Sequence, residues 1–303
     1  MGGKAVSAEN LKKTGGIVMS AKFGPAGNSE SFSAKYKSTA DAPVFLREMG
    51  LDWYEYQCGR GVKVSDKTAS AIRSKAEENG IGLSLHAPYF ISLSSVEPEK
   101  RDNSINYILQ SCDAALRLGA DRIVIHSGSC SKMSREEALE LAKDTLSRAR
   151  KQAIEQGFEA VHFCPETMGK VNQLGTLEEV LELCRLDDTF LPCIDFGHLN
   201  ARTLGGIKTA LDYEAMLDKV ENALGADRLR IFHSHFSKIM YTDPGGEKKH
   251  LTFEDTEYGP EYEPLMELVA KKNLSPVFIC ESAGTQAEDA LTMKQSYTGY
   301  VKG

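Results

Sequence analysis

What most constrains this chain is an alternation that runs its whole length: short β-rich apolar runs separated by stretches with helical spacing. The runs occupy residues 17–20, 53–57, 83–86, 122–126, 160–164, 191–195, 230–233 and 277–281, and most are bounded by Gly, Pro, Asp or Ser. Between them apolar residues recur three and four apart, as at Ile105, Ile108, Leu109, Cys112 and Leu116 or at Ala138, Leu139, Leu141, Ala142 and Leu146, the period of a helix that buries one face. The helix ends carry punctuation. Ser134, Thr176 and Thr285 each stand three residues before a glutamate, the spacing of a capping box. Gly50, Gly80, Gly119, Gly157 and Gly225 follow helical stretches, where a left-handed residue closes a helix.

Strand runs that are apolar on both faces suit parallel strands buried between a barrel interior and a helical shell. Eight strand and helix units predict a single α/β domain over residues 1–303, a (β/α)8 TIM barrel, with residues 1–14 as a flexible N-terminal segment. A doubly wound sheet gives similar alternation, but a nucleotide-binding one needs a Gly-rich phosphate turn that opens a helix. The stretch Lys22-Phe-Gly-Pro-Ala-Gly27 runs instead into a polar loop.

Of the 303 residues, 41% are hydrophobic and 26% charged, an ordinary globular balance. The net charge of −7, from 43 acidic and 36 basic residues, excludes a polycationic chain that binds nucleic acid by bulk electrostatics. The seven cysteines are odd in number and never arranged as C-x-x-C, which argues against a disulfide framework or a thiolate zinc site and for a reducing cytoplasm. No apolar run approaches the ~20 residues of a membrane span. The expected protein is soluble and cytoplasmic.

Metal-ligand residue types recur where the runs end: His86, His126, Glu166, Asp195 with His198, His233 with His235, and Glu281. In a barrel these ends converge on one rim, where barrel enzymes keep their reactive groups. A charged residue ending an apolar run is costly to bury unless paired or metal-bound. A mixed imidazole and carboxylate set suits zinc, manganese or iron better than calcium or magnesium. His162 lies inside its run and reads as structural.

These motifs resemble the endonuclease IV group of apurinic/apyrimidinic endonucleases, within the xylose-isomerase-like barrels. The resemblance rests on His86-Ala-Pro-Tyr-Phe-Ile-Ser-Leu93, Ile125-His126-Ser-Gly-Ser129, Pro165-Glu166-Thr167, Cys193-Ile-Asp195-Phe-Gly-His198, His233-Ser-His-Phe-Ser-Lys238, Lys248-Lys-His250 and Cys280-Glu281. It implies two or three ions, zinc in the first place, with manganese or iron as alternatives. His86, His126 and Glu166 would hold one, and Glu166, Asp195, His233 and Glu281 a second, with Glu166 bridging. His198 and His250 would hold a third. That set departs from the family at Lys248, where the pattern has a carboxylate; Asp243 or Glu247 takes its place, or Lys248 itself meets a substrate phosphate.

The implied chemistry is hydrolysis of a phosphodiester at abasic sites in double-stranded DNA, with metals that lower the pKa of a bound water and clamp the attacking and leaving oxygens. Glu166, Glu281 and Lys238 carry the catalytic roles, and Tyr89, Arg60, Lys248 and His235 contact the substrate. The loops hold Arg60, Lys63, Lys132, Lys170, Arg202, Lys248 and Lys249, a local basic excess. Tyr89 and Phe90 follow His86 where the family enters the duplex, a step that is cheapest at a damaged nucleotide. The competing reading is a sugar isomerase or epimerase acting on a sugar or phosphorylated small molecule, which needs one divalent metal and two glutamates beside a carbonyl. It leaves His86, His126, His198 and His250 without a duty. The chain is expected to act as a monomer, with no membrane partner.

Overall fold

The computed structural model describes residues 20–301. Among them, eight parallel strands form the barrel: β1 Lys22–Pro25, β2 Trp53–Gln57, β3 Gly82–His86, β4 Arg122–His126, β5 His162–Glu166, β6 Cys193–Asp195, β7 His233–Phe236 and β10 Val277–Cys280. Around the barrel the order is β1-β10-β7-β6-β5-β4-β3-β2, so each strand lies beside its neighbour in sequence, the topology of a β/α barrel. A hairpin of β8 Ile239–Thr242 and β9 Gly246–His250 stands apart as a two-stranded antiparallel sheet. The expected flexible segment 1–14 lies outside the described residues. Among the described residues no helix is long and apolar enough to cross a membrane.

The helices follow the sequence punctuation. Capping boxes open Arg135–Glu155 at Ser134 and Leu177–Cys184 at Thr176, and Gly50, Gly80 and Gly119 close helices in the left-handed conformation.

Several strands differ from the sequence reading: the fifth, read over 160–164, is His162–Glu166, the sixth begins at Cys193 rather than 191, and the first and seventh differ further. The run 17–20 lies mostly outside the described residues, and the first strand among them is Lys22–Pro25, which the sequence reading left outside its strand runs. Tertiary pairing overrides the poor strand propensity of Gly24 and Pro25. Phe23 is fully buried and stacks on Phe278 at 5.5 Å. A Cβ at Gly24 would lie 1.8 Å from the Trp53 carbonyl oxygen, so only glycine lets β1 approach β2. The two strands meet without a full ladder, joined by Asp52 N–H to Phe23 O and Gly27 N–H to Glu55 O, both 2.9 Å. This seam tolerates Pro25, which has no N–H to offer. The seventh run is displaced as well: β7 begins at His233, where the run 230–233 was read to end, because Arg230 belongs to the short helix Ala226–Arg230.

Most of the apolar core lies between barrel and helices. Inside the barrel a small cluster of Val124, Cys164, Leu191 and Cys193 is separate from it. The interior also carries polar groups, since Glu55, Ser84 and His233 are fully buried.

Candidate metal centre

Alternation along parallel strands sends every second side chain into the barrel. The strand ends then bring together His86, His126, Glu166, Glu281 and, from the helix Phe196–Arg202 after β6, His198. These line a cavity of about 540 Å³ together with Glu247 and His250 from β9. Asp195 and His235 lie beneath it, fully buried.

Glu166 is the centre of the arrangement. Its Oε2 is buried without a hydrogen-bond partner and lies 3.4 Å from His86 Nε2 and 3.3 Å from His126 Nε2. Its Oε1 lies 2.9 Å from His235 Nδ1. One carboxylate thus faces two separate sets of donors, as a bridging ligand must. Donor atoms of Glu166, Asp195, His235 and Glu281 all come within 4.8 Å of one another, as do those of His198, Glu247 and His250.

Three of the histidines are anchored by one ring nitrogen and present the other. His86 Nδ1 lies 2.7 Å from the Ala87 carbonyl oxygen, His198 Nδ1 2.9 Å from the Thr167 carbonyl oxygen, and His250 Nδ1 2.8 Å from the Ser237 hydroxyl. Each Nε2 is left for the site, the arrangement that fixes tautomer and ring orientation in metal ligands. Asp195 caps its helix by accepting from His198 N–H at 2.7 Å, which leaves Oδ2 buried and unpartnered. The orphaned oxygens of Glu166 and Asp195 and the imidazole–carboxylate chemistry fit transition-metal ions.

Electrostatics agree with a carboxylate-rich centre suited to cations. Burial, with the charges of Glu166 and Asp195, pushes the Glu281 carboxyl up to about 7 against the opposing pull of His235. Burial pushes Asp195 up as well. Burial works to raise Glu166 too, but the charge of His235, hydrogen bonds to His235 and His86 and the charge of His126 hold it well below the ordinary range. Burial drives His126 and His250 down to about 3, whereas at His198 it is outweighed by Asp195, Glu166 and Glu247, which raise the imidazole to about 9.

The sequence reading exchanged two histidines. His235, expected at the substrate, meets Glu166, Asp195 and Glu281, while His233, expected among the ligands, does not reach them. Both point inward, but the register pairs His235 with Asp195 and His233 with Cys193, one pleat deeper. There His233 Nε2 lies 2.9 Å from Glu55.

Lys248 also moves. A bulge in the hairpin pairs Lys249 with Met240 and Glu247 with Tyr241, leaving Lys248 without an opposite residue. The extra residue reverses the alternation, so Glu247 and His250 both face the cavity while Lys248 is exposed. Glu247, one of the two alternatives for the displaced carboxylate, approaches His198 Nε2 at 3.5 Å and His250 Nε2 at 3.9 Å. Gly169 makes room for it, because a Cβ there would come within 2.6 Å of Glu247 Cβ.

Lys238 does not enter the cavity: its Nζ donates to the Asp255 carbonyl at 2.7 Å and pairs with Glu261 at 2.8 Å. Arg60 is exposed and Arg202 is engaged with the carbonyls of Met168, Lys170, Val171 and Gln173. Lys170 is the lysine that lines the cavity. Tyr89, half exposed, stacks on His126 at 5.3 Å and donates its hydroxyl to Gln57 at 2.9 Å. His162 lies at the opposite end of the barrel, with Nδ1 2.6 Å from the Thr189 carbonyl oxygen.

Glu55 is the residue the sequence reading missed. A carboxylate in the middle of Trp53-Tyr-Glu-Tyr-Gln57 is a costly inclusion unless paired, and that was its signal.

A model of the family described as xylose isomerase-like TIM barrel matches residues 44–297. An uncharacterized protein of Methanocaldococcus jannaschii is 32% identical over 274 residues, 90% of this chain and 95% of that one. A probable endonuclease 4 of Mycoplasma genitalium is 30% identical over 165 residues, 53% of this chain and 54% of its own length, so the match spans about half of that relative. Among solved structures, a D-tagatose 3-epimerase-like protein superposes with a TM-score of 0.63 at 20% identity over 83% of this chain and 89% of that one, a likeness of fold alone.

Proposed function

Since the chain belongs to the xylose isomerase-like TIM barrel family, we propose that it is a metal-dependent phosphodiesterase that cleaves DNA at abasic sites. The observation that carries this reading is the pair of donor groups beyond a mononuclear site. His86 and His126 flank one oxygen of Glu166, and His198, Glu247 and His250 form a third group in the same cavity. His86, His126 and Glu166 would hold the first ion, Glu166, Asp195, His235 and Glu281 the second, and His198, Glu247 and His250 the third. Zinc fits these donors, as do manganese and iron.

Bound there, such ions supply Lewis acidity and acidify water. The protein's own groups do the rest. Glu166 fixes the spacing of the first two groups. Glu281, which lines the cavity, would hold and orient a group bound there. The Lys170 ammonium offsets charge on a phosphate entering the cavity, and the Tyr89 ring offers a flat face to the sugar or base beside it. Lys248, exposed at the bulge, contacts the phosphate backbone outside the cavity.

The test is strand cleavage of a duplex oligonucleotide carrying one abasic-site analogue, with zinc- or manganese-loaded protein and an undamaged duplex as control. Site-specific nicking is expected. The second reading is a sugar epimerase or isomerase, favoured by the fact that Glu166, Asp195, His235 and Glu281 alone complete a four-ligand site. Absence of nicking, together with turnover of a keto sugar by the same metallated protein, would replace the first reading by the second.

A further inference from the structure

We propose that Glu55 is a positioning residue of the metal centre, holding His235 from inside the barrel in the tautomer whose Nδ1 faces Glu166, Asp195 and Glu281. The inference rests on the metal-centre reading above and extends it to a residue that is not a ligand.

Glu55 is 0% exposed in the middle of β2, across the barrel interior from β7. Its Oε1 lies 2.9 Å from His235 Nε2, a contact that is short but off the hydrogen-bonding axis of that nitrogen. The His233 Nε2 lies 2.9 Å from Oε2. The Ser84 hydroxyl donates to Oε2 at 2.9 Å, and the Gln57 side-chain amide to Oε1 at 3.1 Å. Ser84 in turn accepts from Trp53 Nε1–H at 3.1 Å, so Glu55 is clamped from its own strand and from β3. Glu55 thus accepts from Ser84 and Gln57 and lies against the imidazoles of His233 and His235.

Each ring nitrogen of His235 has a carboxylate oxygen at 2.9 Å, Glu55 at Nε2 and Glu166 at Nδ1. An ion shared with Glu166, Asp195 and Glu281 would take the lone pair of Nδ1, which leaves the proton to Nε2, beside the Glu55 carboxylate. Nδ1 also lies 3.5 Å from Glu281 Oε1. A carboxylate behind a ligating histidine fixes tautomer and orientation and makes the free nitrogen a stronger donor. His233 has a different place in the arrangement: it shares the carboxylate one pleat deeper than His235, and its own Nδ1 is buried without a partner.

Two measurements test this. Long-range proton–nitrogen NMR on zinc-loaded wild-type protein, with His235 identified by loss of its signals in His235→Gln, is expected to show a protonated Nε2 and a metal-bound Nδ1. The reverse pattern would overturn the proposal. In a cobalt titration followed by visible absorption, Glu55→Gln is expected to weaken the ion at the Glu166–Asp195–His235–Glu281 group about 10–100-fold, leaving the His86–His126 ion close to its wild-type affinity. Unchanged affinity at both would overturn it too. Should Glu55→Gln fail to fold, the wild-type NMR result decides alone. If wild-type protein takes up no metal, the metal-centre reading itself falls, whereas metal uptake with an insensitive Glu55→Gln removes only the role of Glu55.

Discussion

The two ends of the barrel treat buried charge in opposite ways. At the N-terminal end, Arg150 is 6% exposed and fully served by the chain. It bonds Asp187 at 3.0 Å, the carbonyls of Val161 and Glu159 at 3.3 and 3.1 Å, and the Thr189 hydroxyl at 2.9 Å, and it lies against the rings of Phe163 and Phe190. At the C-terminal end, Glu166 Oε2 and Asp195 Oδ2 are equally buried and lack partners. Orphaned atoms elsewhere, such as Arg122 Nη1 and Ser275 Oγ, are scattered singly, whereas those at the rim converge on one group of donors. Buried polar groups are almost always satisfied. Arg122 at the N-terminal end still pairs two of its nitrogens with Asp121, whereas the rim turns unpartnered oxygens of two carboxylates into one group of donors.

The contrast can be broken by substitution, and the largest effect belongs to the bridge. Glu166→Gln is expected to reduce turnover on abasic duplex by more than the roughly 100-fold that losing an outer partner of a ligand costs, and to halve metal content by elemental analysis. Full activity would refute the shared-carboxylate site. Stripping metal with a chelator should lower stability by about 4 kcal/mol relative to protein with free metal near 1,000 times its dissociation constant, seen as a drop in the thermal midpoint that re-addition reverses. Glu247→Ala should remove one ion and leave the others, while Lys248→Ala keeps the full count; equal metal content in the two variants would move the third group away from Glu247. At the other end the readouts reverse. Arg150→Ala should cost about 1–3 kcal/mol in denaturant unfolding with metal content intact. The smallest effect is expected at His162→Gln, roughly 0.5–1.5 kcal/mol for one hydrogen bond, with turnover nearly intact.

How far the chain could be read in advance differs from residue to residue. The run 122–126 became β4 and the run 53–57 became β2 with their limits unchanged, because apolar content and flanking breakers are local properties. The ends at His86, His126 and Glu281 followed from the same local signal. His233 and His235 could not be told apart in this way, since both satisfy the two-residue alternation. Only the pairing of His235 with Asp195 sets their heights in the barrel. Lys248 was misplaced for a related reason, as a bulge shifts facing by one residue without a sequence mark that distinguishes it from regular strand.

The sequence by itself determined the barrel, the rim and the kinds of donor gathered there, because periodicity and the cost of burying charge act along the chain. Tertiary structure decided that Lys22–Pro25 is a strand, that Glu247 faces His198, that His235 pairs with Asp195 and His233 with Cys193 one pleat deeper, and that Glu55 lies against His235. Those depend on inter-strand register and on approaches between residues distant in sequence, such as Gly24 against Trp53 and Glu55 against His235, which no local pattern encodes.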